Sequence, residues 1–238
     1  MIRKIIIVAL VIIVGALAMS YHTALINERG ENLIADAYYG KLENVKDDVE
    51  NGAPLDFTLY FTDEEREYHG VTFNALQAAA SGGNEDVINY LLDLGLDINA
   101  QTANGWTPLF IAARDGQAEA AKLLVFRQAD LNIQTDLGAT ALLMAVTQKY
   151  PSEQARLDLL TYLLKRGADP NLAVEGDLTP LYYAAVLQNQ PAVELLLEHN
   201  ARLTPPVYEK AALYLKKSNT PKAKKITALL KKKAVQKP

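Results

Sequence analysis

The stretch Asn104-Gly105-Trp106-Thr107-Pro108-Leu109-Phe110-Ile111-Ala112-Ala113-Arg114-Asp115-Gly116, followed by Leu123-Leu124-Val125 and Ala129-Asp130-Leu131-Asn132, decides the fold. Thr107-Pro108 opens a short helix, because a threonine hydroxyl can cap the first turn and proline is tolerated there. The alanine pair Ala112-Ala113 lets a neighbouring helix approach closely, and Gly116 punctuates the end of that helix. Leu123-Leu124 marks the buried stripe of a second helix. Asp130-x-Asn132 then seeds a turn, since both side chains bond their own backbone readily.

The same order recurs along the chain. Thirty-three residues earlier stand Leu76, Ala79-Ala80, Gly83, Tyr90-Leu91-Leu92, Gly95, Asp97 and Asn99. Thirty-three later come Gly138, Thr140, Leu142 and Ala145. After six extra residues near Lys149–Gln154 that unit finishes with Leu160, Leu163-Leu164, Gly167-Ala168-Asp169 and Asn171. A further copy holds Thr179-Pro180-Leu181, Ala184-Ala185, Val193, Leu195-Leu196-Leu197 and Ala201. A degenerate copy precedes them all, with Leu33, Ala37, Gly40, Val45, Val49 and Asn51-Gly52-Ala53. A fixed period of this length is the signature of a repeat array, in which no unit buries its apolar face alone and neighbours supply one continuous core.

These motifs resemble the ankyrin repeat, G-x-T-P-L-x-x-A-A-x-x-G followed by V-x-x-L-L-x-x-G-A-D-x-N, over about residues 31–203. The resemblance implies an all-α solenoid of helix–turn–helix pairs joined by hairpin-like turns, acting as a protein-binding module. Residues 31–57 form a degenerate first unit, and residues 72–101, 102–134, 135–173 and 174–203 form four full repeats. The histidine common after Thr-Pro-Leu is replaced by Gln77, Phe110, Leu143 and Tyr182, so its hydrogen-bond network is missing or replaced. Residues 58–71, including Thr58–Tyr68, make an acidic, aromatic finger at the turn edge. The six extra residues near Lys149–Gln154 are expected to lengthen the loop between the two helices of the third full unit. Each insertion is either functional or plain drift in length. Residues 204–238 read as polar helices capping the stack, which repeat arrays need for solubility.

Ahead of the repeats, Arg3 and Lys4 precede Ile5–Met19, fourteen of whose fifteen residues are apolar. Basic charge, an apolar run and Ala16-Leu17-Ala18 follow the order of an export signal cleaved after Ala18. As an uncleaved anchor the run spans roughly 22–26 Å as a helix, against a hydrocarbon core of about 30 Å. Residues 1–18 are therefore expected as a signal or anchor helix, 19–30 as a linker, and the repeats as lying outside the cytoplasm. Location would then be the periplasm, or the inner membrane through residues 5–19. With the repeats, this makes the chain similar to periplasmic and membrane-anchored ankyrin proteins of Gram-negative bacteria, some of them associated with catalase and peroxide defence. An immunity protein masking a secreted toxin is the alternative.

Composition narrows the chemistry. The 238 residues include no Cys, which excludes disulfides, thiolate metal sites and cysteine nucleophiles. The formal charge of −4 divides into two cations before the apolar run, a balance of −15 over residues 19–203 and +9 over 204–238. An acidic body argues against nucleic acid. None of the hydrolase, phosphate-loop, zinc-protease or EF-hand motifs occurs, and His22, His69 and His199 are scattered, so no catalytic residue, cofactor or metal site is expected.

Binding is expected on a concave face of turn tips and first helices. By register Phe73, Trp106 and Leu178 precede the Thr-Pro-Leu positions. Arg114, Asp115 and Gln148 follow the alanines, and Tyr183 shares the last first helix. Aromatic residues and arginine dominate hot spots, although Phe73 and Trp106 could equally pack between turns. Lys222, Lys224, Lys225, Lys231, Lys232 and Lys233 form a second candidate, a basic patch for an acidic partner or anionic membrane; it is equally read as a solvated capping helix. The partner is expected to be another protein.

Overall fold

The computed structural model describes residues 2–60 and 71–233, with side chains described from Ser20 onward except those of Tyr21, Tyr60 and Lys233. Twelve helices are present among the described residues: α1 Ile2–Tyr39, α2 Leu42–Glu50, α3 Ala75–Gly82, α4 Glu85–Asp93, α5 Pro108–Arg114, α6 Ala118–Phe126, α7 Ala141–Thr147, α8 Glu153–Lys165, α9 Pro180–Val186, α10 Gln190–Glu198, α11 Pro205–Ser218 and α12 Pro221–Lys233. A two-stranded antiparallel ribbon pairs β1 Leu59–Tyr60 with β2 Thr72–Phe73, Leu59 opposite Phe73.

The helices stack as pairs. First helices pack in the series α1, α3, α5, α7, α9, α11, and second helices in the series α2, α4, α6, α8, α10, α12. The repeated leucines and alanines make this possible. Leu76, Leu109, Leu142 and Leu181, the alanines after them, and Leu91, Leu124, Leu163 and Leu196 all join one continuous core running the length of the stack. Truncating any of these leucines would cost about 2–5 kcal/mol. The core ends in Val207, Ala211 and Leu215 of α11 and Ala223, Ile226 and Leu230 of α12. Lys222, Lys224, Lys225, Lys231 and Lys232 of α12 are exposed.

Local signals act much as their residue types require. The hydroxyls of Thr107 and Thr140 accept from the N–H groups of Phe110 and Leu143 at 3.1 and 3.3 Å. Asn74 forms a capping box with Gln77, each side chain accepting from the other's backbone N–H at 2.9 Å. Thr179 differs, because its buried hydroxyl finds no partner. The turn after each second helix needs a left-handed residue. Glycine supplies it at Gly95 and Gly167, whereas Gln128 and Asn200 adopt it with side chains, at φ 72° and 63°.

Two rows of side chains stitch the units together. In the first, Asp97, Asp130 and Asp169 accept at 2.9 Å from the N–H groups of Asn99, Asn132 and Asn171. Each asparagine then accepts from the backbone N–H of the next unit: Asp130, Asp169 and Arg202, again at 2.9 Å. In the second row, Asn84, Gln117 and Tyr150 stand thirty-three residues apart and reach back to the preceding first helix. Asn84 donates to the Ala37 and Tyr38 carbonyls, Gln117 to that of Ser81 at 3.0 Å, and Tyr150 to that of Ala113 at 2.6 Å. These carbonyls lie in the final turns of their helices, where intrahelical donors run out.

Tyr150 lies inside the six-residue insertion yet holds its place in that row, so the insertion is not simply a longer loop. The loop runs over 148–152 where the preceding unit has 115–117. The other four residues extend α8 to 13 residues against 9 in α6. Ser152 caps the extended helix through the Ala155 N–H at 3.0 Å. Burial pushes the Tyr150 phenol well above its ordinary range, against the opposing pull of Arg156.

The N-terminal region departs most from expectation. Residues 19–30 are helical and continuous with what precedes them, all within α1. Within α1, His22, Thr23, Asn27 and Glu28 are exposed, and Leu33, Ile34 and Ala37 enter the core. The placement of the chain in a periplasm or inner membrane is corrected accordingly, since among the described residues no helix is long and apolar enough to cross a membrane.

Candidate functional site

The turn tips and first helices form one face of the stack, and most of the anticipated residues meet there. A second, smaller apolar cluster lies beneath the tips, made of Val71, Phe73, Phe110, Ile111, Ala139 and Leu143, with Trp106, Met144, Val174 and Tyr183 packed against it. Phe110 and Leu143 occupy the positions where Thr-Pro-Leu is usually followed by histidine. They do not leave the network merely broken; they convert a polar position into an apolar floor. At the first junction Gln77 replaces the network, its side-chain amide donating to the carbonyls of Ala100 at 2.9 Å and Trp106 at 3.5 Å.

Phe73 is completely buried, so it supports the face from below and offers no contact surface. Trp106 is half-buried, its ring tilted against Phe110 at 5.5 Å between centroids. The Arg114 guanidinium lies over the indole, 4.8 Å from its centroid. Arg114 also pairs with Asp115 at 3.2 Å, and Asp115 accepts from the Ser81 hydroxyl at 2.7 Å. Arg114 is therefore held by a ring and a carboxylate at once, a rigid arrangement of the kind found at hot spots.

Further along, the tips 136–138 and 175–177 occupy the same register position in successive units. Each tip is closed by a backbone bond, from the Thr135 N–H to Ala139 O at 2.9 Å and from the Val174 N–H to Leu178 O at 3.2 Å. Between them opens a groove of about 850 Å³ lined by Asp136, Leu137, Gly138, Ala139, Leu143, Met144, Thr147, Val174, Glu175 and Tyr183. Leu137 is 80% exposed at its edge. Leu178 is half-buried at the base of the next tip and does not line the groove. Tyr182 and Tyr183 both pack against the main core and Tyr183 also lines the groove, their rings edge to face at 5.4 Å.

Gln148 belongs elsewhere. It lines a second groove of about 410 Å³ on the inter-helix loop side, with Lys149, Glu153, Arg156, Leu187, Gln188 and Lys222 among its walls. Arg156 donates to the Gln148 carbonyl at 2.6 Å and pairs with Glu153 at 3.3 Å. On the cap, Lys222, Lys224, Lys225, Lys231 and Lys232 are exposed, Lys225 lying 3.9 Å from Glu194; the Lys233 side chain lies outside the described residues. So do residues 61–70 of the finger, including His69. Among the described residues no group of three or more His, Asp or Glu could hold a metal ion.

The family model for ankyrin repeats, three copies, matches residues 33–135, 75–173 and 127–207. The chain belongs to the ankyrin-repeat family. Ankyrin repeats bind other proteins and are typically not catalytic. Among similar curated proteins is "Ankyrin repeat, SAM and basic leucine zipper domain-containing protein 1" of Homo sapiens, 34% identical over 103 residues, 43% of this chain and 21% of that protein. Its Dasypus novemcinctus counterpart is 32% identical over 123 residues, 52% of this chain and 25% of the relative. The match thus spans about a quarter or less of these relatives. Both are animal ankyrin proteins, so they lend no support to the bacterial-envelope placement withdrawn above.

Proposed function

We propose that the chain is a non-catalytic adaptor that reads a protein partner with the tip and first-helix face of its ankyrin stack. The observation supporting this most directly is the open apolar groove between the 136–138 and 175–177 tips, with Leu137 almost fully exposed beside it. Exposed apolar surface set in a rigid, concave lining is what an interface centre requires. Trp106 and Arg114 extend this surface along neighbouring units, the buried Asp115 carboxylate holds Arg114 in place, Leu178 braces the tip, and Phe73 stiffens the floor. Gln148 and the α12 lysines offer separate polar contacts for a partner large enough to reach the loop edge. A toxin-masking role would use the same face and differs only in the partner.

The test places a photo-crosslinking amino acid at Leu137, Met144 or, on a second helix, exposed Phe126 in cells expressing the chain. Discrete adducts from Leu137 and Met144 that vanish on Tyr183→Ala, with none from Phe126, are expected. Adducts from Phe126 alone, or from no position, would refute the reading.

A further inference from the structure

The groove has a chemical character that goes beyond binding protein in general, and the inference that follows rests on the reading just given. Its floor is apolar, built from Leu143, Met144, Val174 and Tyr183. Its two rims are acidic: Asp136 stands on one tip and Glu175 at the matching position of the next. Both residues are exposed, and neither carboxylate forms an ion pair or accepts a hydrogen bond among the described residues. By contrast, Asp97, Asp130 and Asp169 in the same turns are occupied by the Asx bonds of the stitching row. The groove wall contains no Lys or Arg.

We infer that the groove receives a peptide segment of a partner protein carrying an apolar anchor side chain flanked by Lys or Arg. The anchor fills the floor, and the flanking cations meet Asp136 and Glu175 on either side. Charge complementarity selects this occupant. A segment with acidic flanks would place like charges together at both rims, whereas one with neutral flanks would gain the floor and nothing from the rims. A volume of about 850 Å³ lies within the roughly 300–1,000 Å³ typical of clefts that enclose a ligand. It therefore suits a few side chains and not a whole domain surface. The segment must pass between the tips, so an extended chain fits better than a helix.

The experiment uses the full chain and fluorescein-labelled peptides with one central Trp, Leu or Phe flanked on both sides by Lys-Arg, Gln-Gln or Glu-Glu pairs, read by anisotropy at low and high salt. Cationic flanks should tighten binding roughly two- to thirtyfold over neutral ones, the range expected for two exposed charge pairs. That gain should disappear at about 0.5 M salt. The double variant D136N/E175Q should bind the cationic and neutral peptides alike, and Tyr183→Ala should weaken both. Circular dichroism of each variant checks that the stack is intact. Equal binding of acidic and cationic peptides, no binding of the cationic peptides, or a flank preference unchanged in D136N/E175Q would each overturn the inference. If that happens while the Leu137 and Met144 crosslinks persist, the adaptor reading stands and only the partner chemistry falls. Loss of both removes the adaptor reading as well.

Discussion

Tyr150→Phe removes a single oxygen from the junction between the second and third full units. In the native stack that hydroxyl donates at 2.6 Å to the carbonyl of Ala113, close to the C-terminus of α5, where no intrahelical donor is available. The substitution loses a hydrogen bond and leaves the carbonyl of fully buried Ala113 unsatisfied, a combined cost of about 2 kcal/mol near pH 8. Its dependence on pH separates this bond from mere packing. Burial raises the Tyr150 pKa in the folded chain far above the free value of 10.0. The phenol's contribution is therefore fully present below pH 10 and lost as pH rises beyond it, because only the unfolded chain ionises. By linkage, native stability should lose about 1.4 kcal/mol through this group between pH 8 and pH 11, a loss the phenylalanine variant cannot suffer. Urea unfolding of the two proteins at both pH values is the assay, the other tyrosines and the lysines being common to both. The difference should shrink from about 2 to about 0.6 kcal/mol. A gap below about 0.5 kcal/mol at pH 8, or one that does not narrow by pH 11, would refute the account.

Other substitutions probe the remaining devices. Asn132→Ala should cost about 1 kcal/mol and expose the Asp169 amide to hydrogen exchange, whereas Asn132→Asp, which retains the acceptor, should leave both nearly unchanged. Gly116→Ala combines a left-handed φ of 76° with a new Cβ 2.6 Å from the Lys149 carbonyl, so its urea midpoint should fall by the equivalent of about 2–4 kcal/mol. Gln128→Gly relieves a side chain held at φ 72° where Gly95 and Gly167 stand in neighbouring units, and should raise stability by about 0.5–1 kcal/mol, visible as a higher melting temperature.

The repeat architecture was legible because each position has its own physical reason and the same order recurs in five copies, three of them at a strict thirty-three-residue step. Thr-Pro caps, alanine pairs, leucine pairs and Asp-x-Asn turns could each be read from residue type alone. The row of Asn84, Gln117 and Tyr150 could not. Its members share only a donor at the end of a side chain, and one sits within an apparent insertion; counting in steps of thirty-three would have exposed it. The aromatic residues before Thr-Pro-Leu were recognised as a group, but sequence left open whether they line the face or its floor. Phe73 is buried because Val71, Phe110 and Ile111 close around it; Trp106 stays half-exposed. The groove itself was missed, although Leu137 at a turn tip was a visible anomaly. At the N-terminus the stretch 19–30, expected as a linker, is helix. A period of 3.6 carried forward from Ser20 to Ala37 shows that the same helix enters the stack.

The division of the six extra residues in the third full unit has a practical side. Growth there was accommodated at the start of α8, one turn outward, while Tyr150 and the last turn of the helix kept their places. An array that has already absorbed length at one edge without losing register offers that edge as a graft site. Epitopes or affinity tags inserted between Pro151 and Ser152 would sit beyond the stitching contacts, and closing a longer loop there costs only about 0.6 kcal/mol per doubling of its length. The same insertion between Asp115 and Gln117, where Gly116 is pressed against the neighbouring unit, would have no such room.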